Sequence, residues 1–176
     1  EDAVPEPLWL RHLADAFHAT SSAAVVGFVR GRNGISYQSE LSAVDDEAET
    51  HEETVEGDIP TVPVLGKRRA VKLVGTNMAV RLETLVRVGG FDEAFRFFLE
   101  DSDISLRLGH DGARMAVAPL AQVHHGFAPS KRRTRLRAPL DLFDIGRSTS
   151  HYLCKHMGAA GDELWLRLED RERRRL

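Results

Sequence analysis

The spacing of apolar residues near the start of the chain predicts a helix followed by a buried strand. The residues Leu10, Leu13, Ala14 and Phe17 recur at helical spacing behind two prolines, which is typical of an amphipathic helix packed on a sheet. The run AAVVGFVRG at residues 23–31 is almost wholly apolar and ends at a glycine, which indicates a buried strand.

The middle of the chain continues this alternation. Residues 71–74 predict a strand, which leads through a Gly-Thr-Asn bend into a helix from about Leu82. Because glycine adopts a left-handed conformation at little cost, Gly89 or Gly90 is expected to end that helix.

An aromatic run then meets an acidic helix start in RFFLEDSDISLRL, residues 96–108, and the helix is expected to end near Gly109 or Gly112. The segment ARMAVAPLAQVHHG at residues 113–126 predicts a strand that finishes on two histidines. From Pro139 onward we expect two amphipathic helices separated by the small-residue stretch MGAAG. Strands alternating with helices predict an α/β domain with a largely parallel sheet.

Two strongly charged segments interrupt this predicted alternation of strands and helices. Residues 45–58 hold eight acids and few apolar positions, so they are expected to form a mobile surface loop or an insertion. Residues 131–137, KRRTRLR, carry five positive charges and predict either a solvated loop or a contact with an anion or a membrane surface. We expect a main domain over residues 1–138 and a helical extension over residues 139–176.

Composition narrows the class of protein. The chain has 176 residues, of which 42% are hydrophobic and 29% charged, as expected for one soluble domain. A net charge of −3 argues against a general nucleic-acid binder. The single cysteine, Cys154, cannot form an internal disulfide, and neither a signal peptide nor an apolar run of about 20 residues is evident, which favours the cytoplasm. The absence of an initial methionine suggests part of a longer polypeptide.

Three acids at one helix start are the first candidate site. In a purely structural interpretation, Asp101 caps the helix and Asp103 pairs with Arg107 four residues later. In a functional interpretation, Glu100 or Asp101 lies beside the aromatic run. Partial burial there would raise the pKa of the carboxyl group toward that of a useful general base.

Histidines and terminal acids are the second candidate site. Because successive strand residues face opposite sides, His124 and His125 cannot both point into one pocket. One histidine together with carboxylates suits Mn²⁺ or Mg²⁺, although a satisfied polar residue is the commoner role of a single histidine. The acids Glu1 and Asp2 could chelate a metal that bridges phosphates, or could be frayed and solvated.

The order of these segments resembles the second half of a family 2 glycosyltransferase with the GT-A fold. The resemblance is carried by EDAVPEPLWLRHL, by the block from GTNMAVRLETLVRVGGFDEAF to APLAQVHH, and by IGRSTSHYLCKH, and it covers residues 1–157. It implies a GT-A-like mixed, largely parallel sheet flanked by helices, lacking part of the N-terminal nucleotide-binding half and followed by C-terminal helices.

The resemblance also implies a reaction and its residues. A sugar would move with inversion from a nucleotide-diphosphate donor to a hydroxyl of a saccharide or other acceptor, with Asp101 of the Glu100-Asp101 pair as the general base. The divalent cation, Mn²⁺ or Mg²⁺, would be held by Glu1, Asp2 and His125, which fits the family spacing better than His124. The residues implied in substrate binding are Gly75, Thr76, Asn77, Asp103 and Arg107.

Other functions stay open at this point. The first half of such a fold is absent from the chain, so the chain alone is expected to be inactive, and a non-catalytic binding or assembly module is the main alternative. A metal-dependent phosphoesterase using the same acids and His125 is a weaker one. No Gln-x-x-Arg-Trp motif of processive synthases is present, which favours single additions. A peripheral contact with the inner face of a membrane and a homo-oligomer are further candidates.

Overall fold

The computed structural model describes residues 2–126 and 142–173, which form an α/β structure with two sheets. The strands are β1 (Ala3–Pro5), β2 (Ala24–Arg30), β3 (Tyr37–Ser39), β4 (Leu41–Asp45), β5 (Thr50–Glu53), β6 (Arg69–Val71), β7 (Met78–Val80) and β8 (Met115–His125). The helices are α1 (Trp9–Thr20), α2 (Leu82–Arg87), α3 (Glu100–His110), α4 (Phe143–Met157) and α5 (Gly161–Arg173). The predicted α/β class with a mixed sheet is confirmed.

The larger sheet has the order β1-β8-β2-β3, with β7 also paired to β2. The pair β2–β8 is parallel, whereas β1, β3 and β7 each pair antiparallel with a neighbour. The share of parallel pairing is therefore smaller than predicted. One reason is that β2 reaches β3 through residues 31–36 alone, and so short a connection joins only antiparallel strands.

Both faces of the larger sheet are covered. Helix α1 packs Leu13 and Ala16 against Val25 of β2 and against the small residues of β8. On the other face, Ile104 and its apolar neighbours on α3 join a larger core with strands from both sheets and with Tyr152 of α4. The predicted buried face of α1 is only partly correct, because Leu13 is buried and Phe17 half-buried whereas Leu10 and Ala14 are exposed.

The smaller sheet has the order β5-β4-β6 and is antiparallel. Residues 45–58 were predicted to form a mobile surface loop or an insertion, and the structure shows that part of this segment is β5, which pairs with β4. The turn between them is built by the acids themselves: one Asp45 carboxylate oxygen accepts hydrogen bonds from the backbone N–H groups of Glu47 and Glu49. The acids are thus turn residues as well as surface charges.

Several predicted element boundaries agree with the structure. Helix α2 starts at Leu82, and Gly89 and Gly90 both have a positive φ after its end. Strand β8 ends on the histidine pair, and α3 begins at Glu100. The strand predicted over residues 71–74 is β6, which instead ends at Val71.

Two further predictions concern the C-terminal region. Helices α4 and α5 agree with the expected pair of C-terminal helices. The predicted domain boundary at residue 138 and the basic stretch 131–137 lie outside the described residues. Across residues 2–126 and 142–173, none of the helices combines the length and apolar character that crossing a bilayer requires.

Candidate active site

A cleft of about 420 Å³ lies at the N-terminal end of α3. Its lining comes from Ala48 and Thr50, from Lys72, from residues 97–102, and from Ile145 and Arg171 of the two C-terminal helices. The cleft therefore combines an apolar wall with carboxylates and cations, which is the composition expected of a site that binds a polar ligand and orients it.

The backbone takes an unusual path into this cleft. Phe98 and Leu99 have φ angles of 75° and 69°, the left-handed region that side chains with a Cβ rarely adopt. Two such residues in succession cost about 1–2 kcal/mol each. The bend turns the aromatic run into α3 so that Glu100 and Asp101 start the helix at the mouth of the cleft. Strain of this kind concentrates at functional sites.

Asp101 is half-buried and faces the cleft. One carboxylate oxygen lies 3.4 Å from the backbone nitrogen of Gly75, and the other lies 3.3 Å from the Ser102 hydroxyl. In the described part of the chain, no cation forms an ion pair with this carboxylate. Beyond these two long hydrogen bonds from Gly75 and Ser102, the carboxylate has lone pairs that can accept a proton from a ligand.

Asp103 has a different environment although it is two residues away. Its carboxylate is fully buried and accepts hydrogen bonds from Arg107 and His156 at 2.8 Å, and the Lys155 ammonium also lies at 2.8 Å. Burial works to raise the pKa of Asp103, but the hydrogen bonds from His156, Arg107 and Lys155 outweigh it and lower the pKa to about 2. Asp103 and Arg107 do not line the cleft, so the structure places these two predicted substrate-binding residues in a buried ion network.

Lys155 extends that network to the turn before α3. It contacts Asp92 at 2.7 Å, and His151 lies 3.0 Å from the same carboxylate oxygen. Hydrogen bonds from His151 and Lys155 lower the pKa of Asp92. Ion pairs of Lys155 therefore link α4 to the turn at residues 89–93 and to the first turn of α3.

The predicted Gly-Thr-Asn residues divide between two roles. Gly75 lies beside Asp101, as described above. Asn77 is buried away from the cleft, where its amide donates to the carbonyl oxygens of Phe28 and Ala121 and its carbonyl oxygen accepts from the Trp9 indole. Asn77 therefore joins α1, β2 and β8, and none of its polar atoms is free for a substrate. Thr76 is half-buried between these two residues.

The second predicted cluster lies at the end of β8. The His125 Nε2 atom is 3.4 Å from the Asp2 carboxylate, and its Nδ1 atom is 3.0 Å from the Gln38 carbonyl oxygen. Because that oxygen can only accept, Nδ1 carries the hydrogen, and Nε2, on the side of Asp2, carries a lone pair in the neutral ring and a second hydrogen in the charged one. His124 pairs instead with Glu6, so the two histidines face opposite sides as predicted.

The described residues thus provide part of the predicted metal site. Asp2 and His125 lie together, whereas Glu1 is outside the described residues. Within residues 2–126 and 142–173 no group of three or more potential ligands is present. A nitrogen and a carboxylate oxygen are nonetheless a donor pair that suits Mn²⁺ or Mg²⁺ when a substrate phosphate and water complete the shell.

Several polar residues of these sites escaped the sequence predictions. Lys155 and His156 belong to a helix whose contact with α3 bridges more than 50 positions, and Gln38 is a lone amide in a short strand. Lys155 and His156 end the segment IGRSTSHYLCKH that carries the family resemblance, and each lies four positions after a ring residue, His151 or Tyr152, on the helix.

Known proteins provide independent information about the chain. The model of the family described as glycosyl transferase family group 2 matches residues 1–145. Two relatives from Mycobacterium tuberculosis, in strains CDC 1551 / Oshkosh and ATCC 25618 / H37Rv, are both described as N-acetylglucosaminyl-diphospho-decaprenol L-rhamnosyltransferase. Each is 39% identical over 61 residues, which make up 35% of this chain and 20% of the relative. The match thus spans only a fifth of those proteins.

Proposed function

This chain belongs to glycosyl transferase family group 2, and from that premise we propose that it forms the acceptor side of an inverting, metal-assisted glycosyltransferase. Sugar transfer in general follows from the family. The inversion, the metal and the roles of individual residues are proposals. The observation that carries them is the Asp101 carboxylate, which faces the cleft and forms no ion pair within the described residues.

Asp101 is proposed as the general base. The acceptor hydroxyl would give its proton to the Asp101 carboxylate while its oxygen forms a bond to the anomeric carbon of the donor. The bond from that carbon to the nucleotide diphosphate breaks at the same time, and the diphosphate leaves with the electron pair. Attack from the side opposite the leaving group inverts the configuration at the anomeric carbon. The helix start holds Asp101 rigidly, as proton transfer requires.

Asp103 supports this assignment by contrast. Its carboxylate is buried and bound by Arg107, Lys155 and His156, so it is unsuited to take a proton from a substrate. Glu100 and Asp101 both line the cleft at the helix start, and Asp101 is the half-buried one of the two. Glu100 is exposed at the mouth of the cleft and is proposed to contact the acceptor.

Asp2 and His125 are proposed to hold the divalent cation. A bound Mn²⁺ or Mg²⁺ would neutralise charge on the diphosphate as it leaves. Gln38 fixes the ring orientation and the tautomer of His125, as the neighbours of metal-binding histidines commonly do. The donor is proposed to be a nucleotide-diphosphate sugar, with a saccharide or other hydroxyl compound as the acceptor.

The experiment that tests this function compares two aspartate variants of the full-length protein. Nucleotide sugars are screened for transfer, and Asp101→Asn is then compared with Asp58→Asn, which changes an exposed acid away from the cleft. Asp101→Asn is expected to lower kcat by about 10²-fold or more, with donor affinity unchanged by calorimetry. Asp58→Asn is expected to behave as the wild type.

Calorimetry with nucleotide diphosphates, with and without Mn²⁺, distinguishes the main alternative. Metal-dependent binding of one nucleotide supports the transferase. A folded full-length protein that binds no nucleotide and transfers no sugar would instead support a non-catalytic assembly module. Full turnover by Asp101→Asn would refute the role of this residue as the base.

A further inference from the structure

Two serine hydroxyls hold the two ends of the strained bend that leads to Asp101. The bend is formed by residues 98–99, whose φ angles are 75° and 69°. Before the bend, the Ser148 hydroxyl of α4 donates to the carbonyl oxygen of Phe97 at 2.7 Å. After the bend, the Ser105 hydroxyl of α3 donates to the carbonyl oxygen of Asp101 at 2.5 Å. Both serines are almost completely buried, so the bend lies between two buried hydrogen bonds that come from different helices.

Ser148 differs from its neighbours on α4. The hydroxyls of Thr149 and Ser150 donate to carbonyl oxygens four residues earlier in their own helix, at 2.9 Å and 2.8 Å. This is the usual arrangement for such side chains within a helix. The Ser148 hydroxyl instead reaches a carbonyl oxygen that lies 51 positions earlier in the chain. Its hydrogen bond therefore links α4 to the segment before α3 and satisfies no group of α4 itself.

Ser105 connects Asp101 with the bend at Gly75. Its hydroxyl donates to the backbone of Asp101 and accepts a hydrogen bond from the backbone N–H of Leu73 at 2.8 Å. Two residues after Leu73, the backbone nitrogen of Gly75 lies 3.4 Å from the Asp101 carboxylate. Residues 73–75 are thus tied to both the backbone and the side chain of Asp101, and the first of these ties passes through Ser105.

The strained bend explains why such bonds matter for Asp101. Residues in the left-handed region persist only where the surrounding structure holds them, because side chains with a Cβ favour a negative φ. If the flanking carbonyl groups were released, residues 98–99 would be expected to relax. Asp101 follows the bend by two residues, so this relaxation would move its carboxylate within the cleft. A displacement of about 1 Å can lower a reaction rate about 10²-fold.

We propose that Ser105 and Ser148 are positioning residues, which hold the Asp101 carboxylate where the acceptor hydroxyl meets it. Neither serine lines the cleft, so both act through the backbone of residues 97–101 and not by contact with the substrate. This inference rests on the proposed function for the role of Asp101 as the general base. It gives α4 a part in the reaction, since the hydroxyl of Ser148 belongs to that helix.

Two serine variants of the full-length protein test the proposal. Ser148→Ala removes the hydrogen bond to Phe97, whereas Ser150→Ala, the matched control, removes one within α4. Ser148→Ala is expected to lower kcat about tenfold while the donor KM changes less than about twofold, because only the position of the base is altered. Ser150→Ala is expected to retain the wild-type kcat. An unchanged kcat in folded Ser148→Ala would overturn the proposal.

A double variant shows whether Ser148 acts through Asp101. Once Asp101→Asn has removed the base, adding Ser148→Ala is expected to lower kcat no further, because residues that act as a unit have non-additive effects. A further loss of about tenfold in the double variant would mean that Ser148 affects the cleft in general. That result would refute the positioning role.

Hydrogen exchange gives a measurement that does not depend on activity. The amides of residues 97–101 are expected to exchange about tenfold faster in Ser148→Ala and in Ser105→Ala than in the wild type, and to be unchanged in Ser150→Ala. Ser105→Ala also removes the acceptor of the Leu73 N–H, so Ser148→Ala alone decides the outcome if the Ser105 variant does not fold. Unchanged exchange in Ser148→Ala would contradict the proposal.

The same variants separate this inference from the proposed function. If Asp101→Asn lowers kcat but Ser148→Ala does not, the positioning role fails and the proposed transferase stands. If Asp101→Asn retains full turnover, the proposed base fails, and the catalytic role of Ser105 and Ser148 fails with it even if exchange at residues 97–101 increases. A full-length protein that transfers no sugar has the same consequence.

Discussion

The Nε2 atom of His156 on α4 lies 2.8 Å from a carboxylate oxygen of Asp103 on α3. Both side chains are almost completely buried, and Lys155 and Arg107 contact the same carboxylate. A C-terminal helix therefore neutralises a buried charge two residues from the proposed base. Helix α4 is part of the framework of the cleft that contains Asp101.

This relationship predicts a large loss of stability in Asp103→Asn. The substitution removes the negative charge and leaves Lys155, Arg107 and His156 close together without it, and breaking a buried ion pair costs about 3–5 kcal/mol. Asp111→Asn is the matched control, because Asp111 pairs with Arg87 at the surface and such pairs contribute about 0–1 kcal/mol. Urea unfolding followed by circular dichroism measures both. Similar losses in the two variants would contradict the central role of Asp103.

The same network predicts the effect of acid on stability. The pKa of Asp103 in the folded protein is lowered from its usual 3.8 to about 2, so the folded state retains this charge when the unfolded chain has lost it. The stabilisation is fully present above about pH 4 and disappears as the pH falls through about 2. The shift corresponds to about 2 kcal/mol, and the lowered pKa of Asp92 acts in the same direction. Unfolding measured at several pH values should show a smaller acid dependence in Asp92→Asn than in the wild type.

Metal binding should depend on one histidine of the pair and not on the other. His125→Ala is expected to weaken Mn²⁺-dependent nucleotide binding strongly, and Gln38→Leu, which removes the acceptor for Nδ1, is expected to weaken it about 10–100-fold. His124→Ala is the control, since that ring faces Glu6 on the opposite side. Calorimetry with and without Mn²⁺ gives the affinities. Equal effects of the two histidine variants would argue against the assignment.

Asn77 should behave as a structural residue. Asn77→Leu leaves the carbonyl oxygens of Phe28 and Ala121 and the indole N–H of Trp9 without their partner. Each buried group that loses its hydrogen bond costs about 1–3 kcal/mol, so the variant is expected to be destabilised by more than about 3 kcal/mol. Trp9→Phe, which removes one of the three bonds, should cost less. A stable Asn77→Leu protein with weak substrate binding would restore the substrate role that the sequence suggested.

Local patterns were sufficient to predict the elements that carry the site. Acids after an aromatic run predicted the start of α3, and alternation along β8 predicted that His124 and His125 face opposite sides. The prediction for residues 45–58 was based on composition alone and did not consider hydrogen bonds from the backbone to acidic side chains. The Asp45 carboxylate forms such bonds in the turn, and β5 follows that turn. Composition describes how much a segment can bury, but it does not describe which backbone groups its side chains satisfy.

The roles of Asn77 and Asp103 could not be predicted in the same way. Each role depends on partners from distant segments: Phe28 and Ala121 for Asn77, and His156 for Asp103. A motif identifies the residue type at a position, whereas the three-dimensional fold decides whether that residue faces a core, an ion pair or a cleft.

The tie between α3 and α4 also has a consequence for the order of folding during synthesis. His156 follows Asp103 by 53 positions, so the ribosome completes α3 well before the partner of its buried carboxylate exists. Until α4 emerges and docks, Asp103 must remain hydrated, and the first turn of α3 cannot reach its final burial. The nascent chain thus cannot complete the proposed catalytic cleft until its C-terminal region has been made.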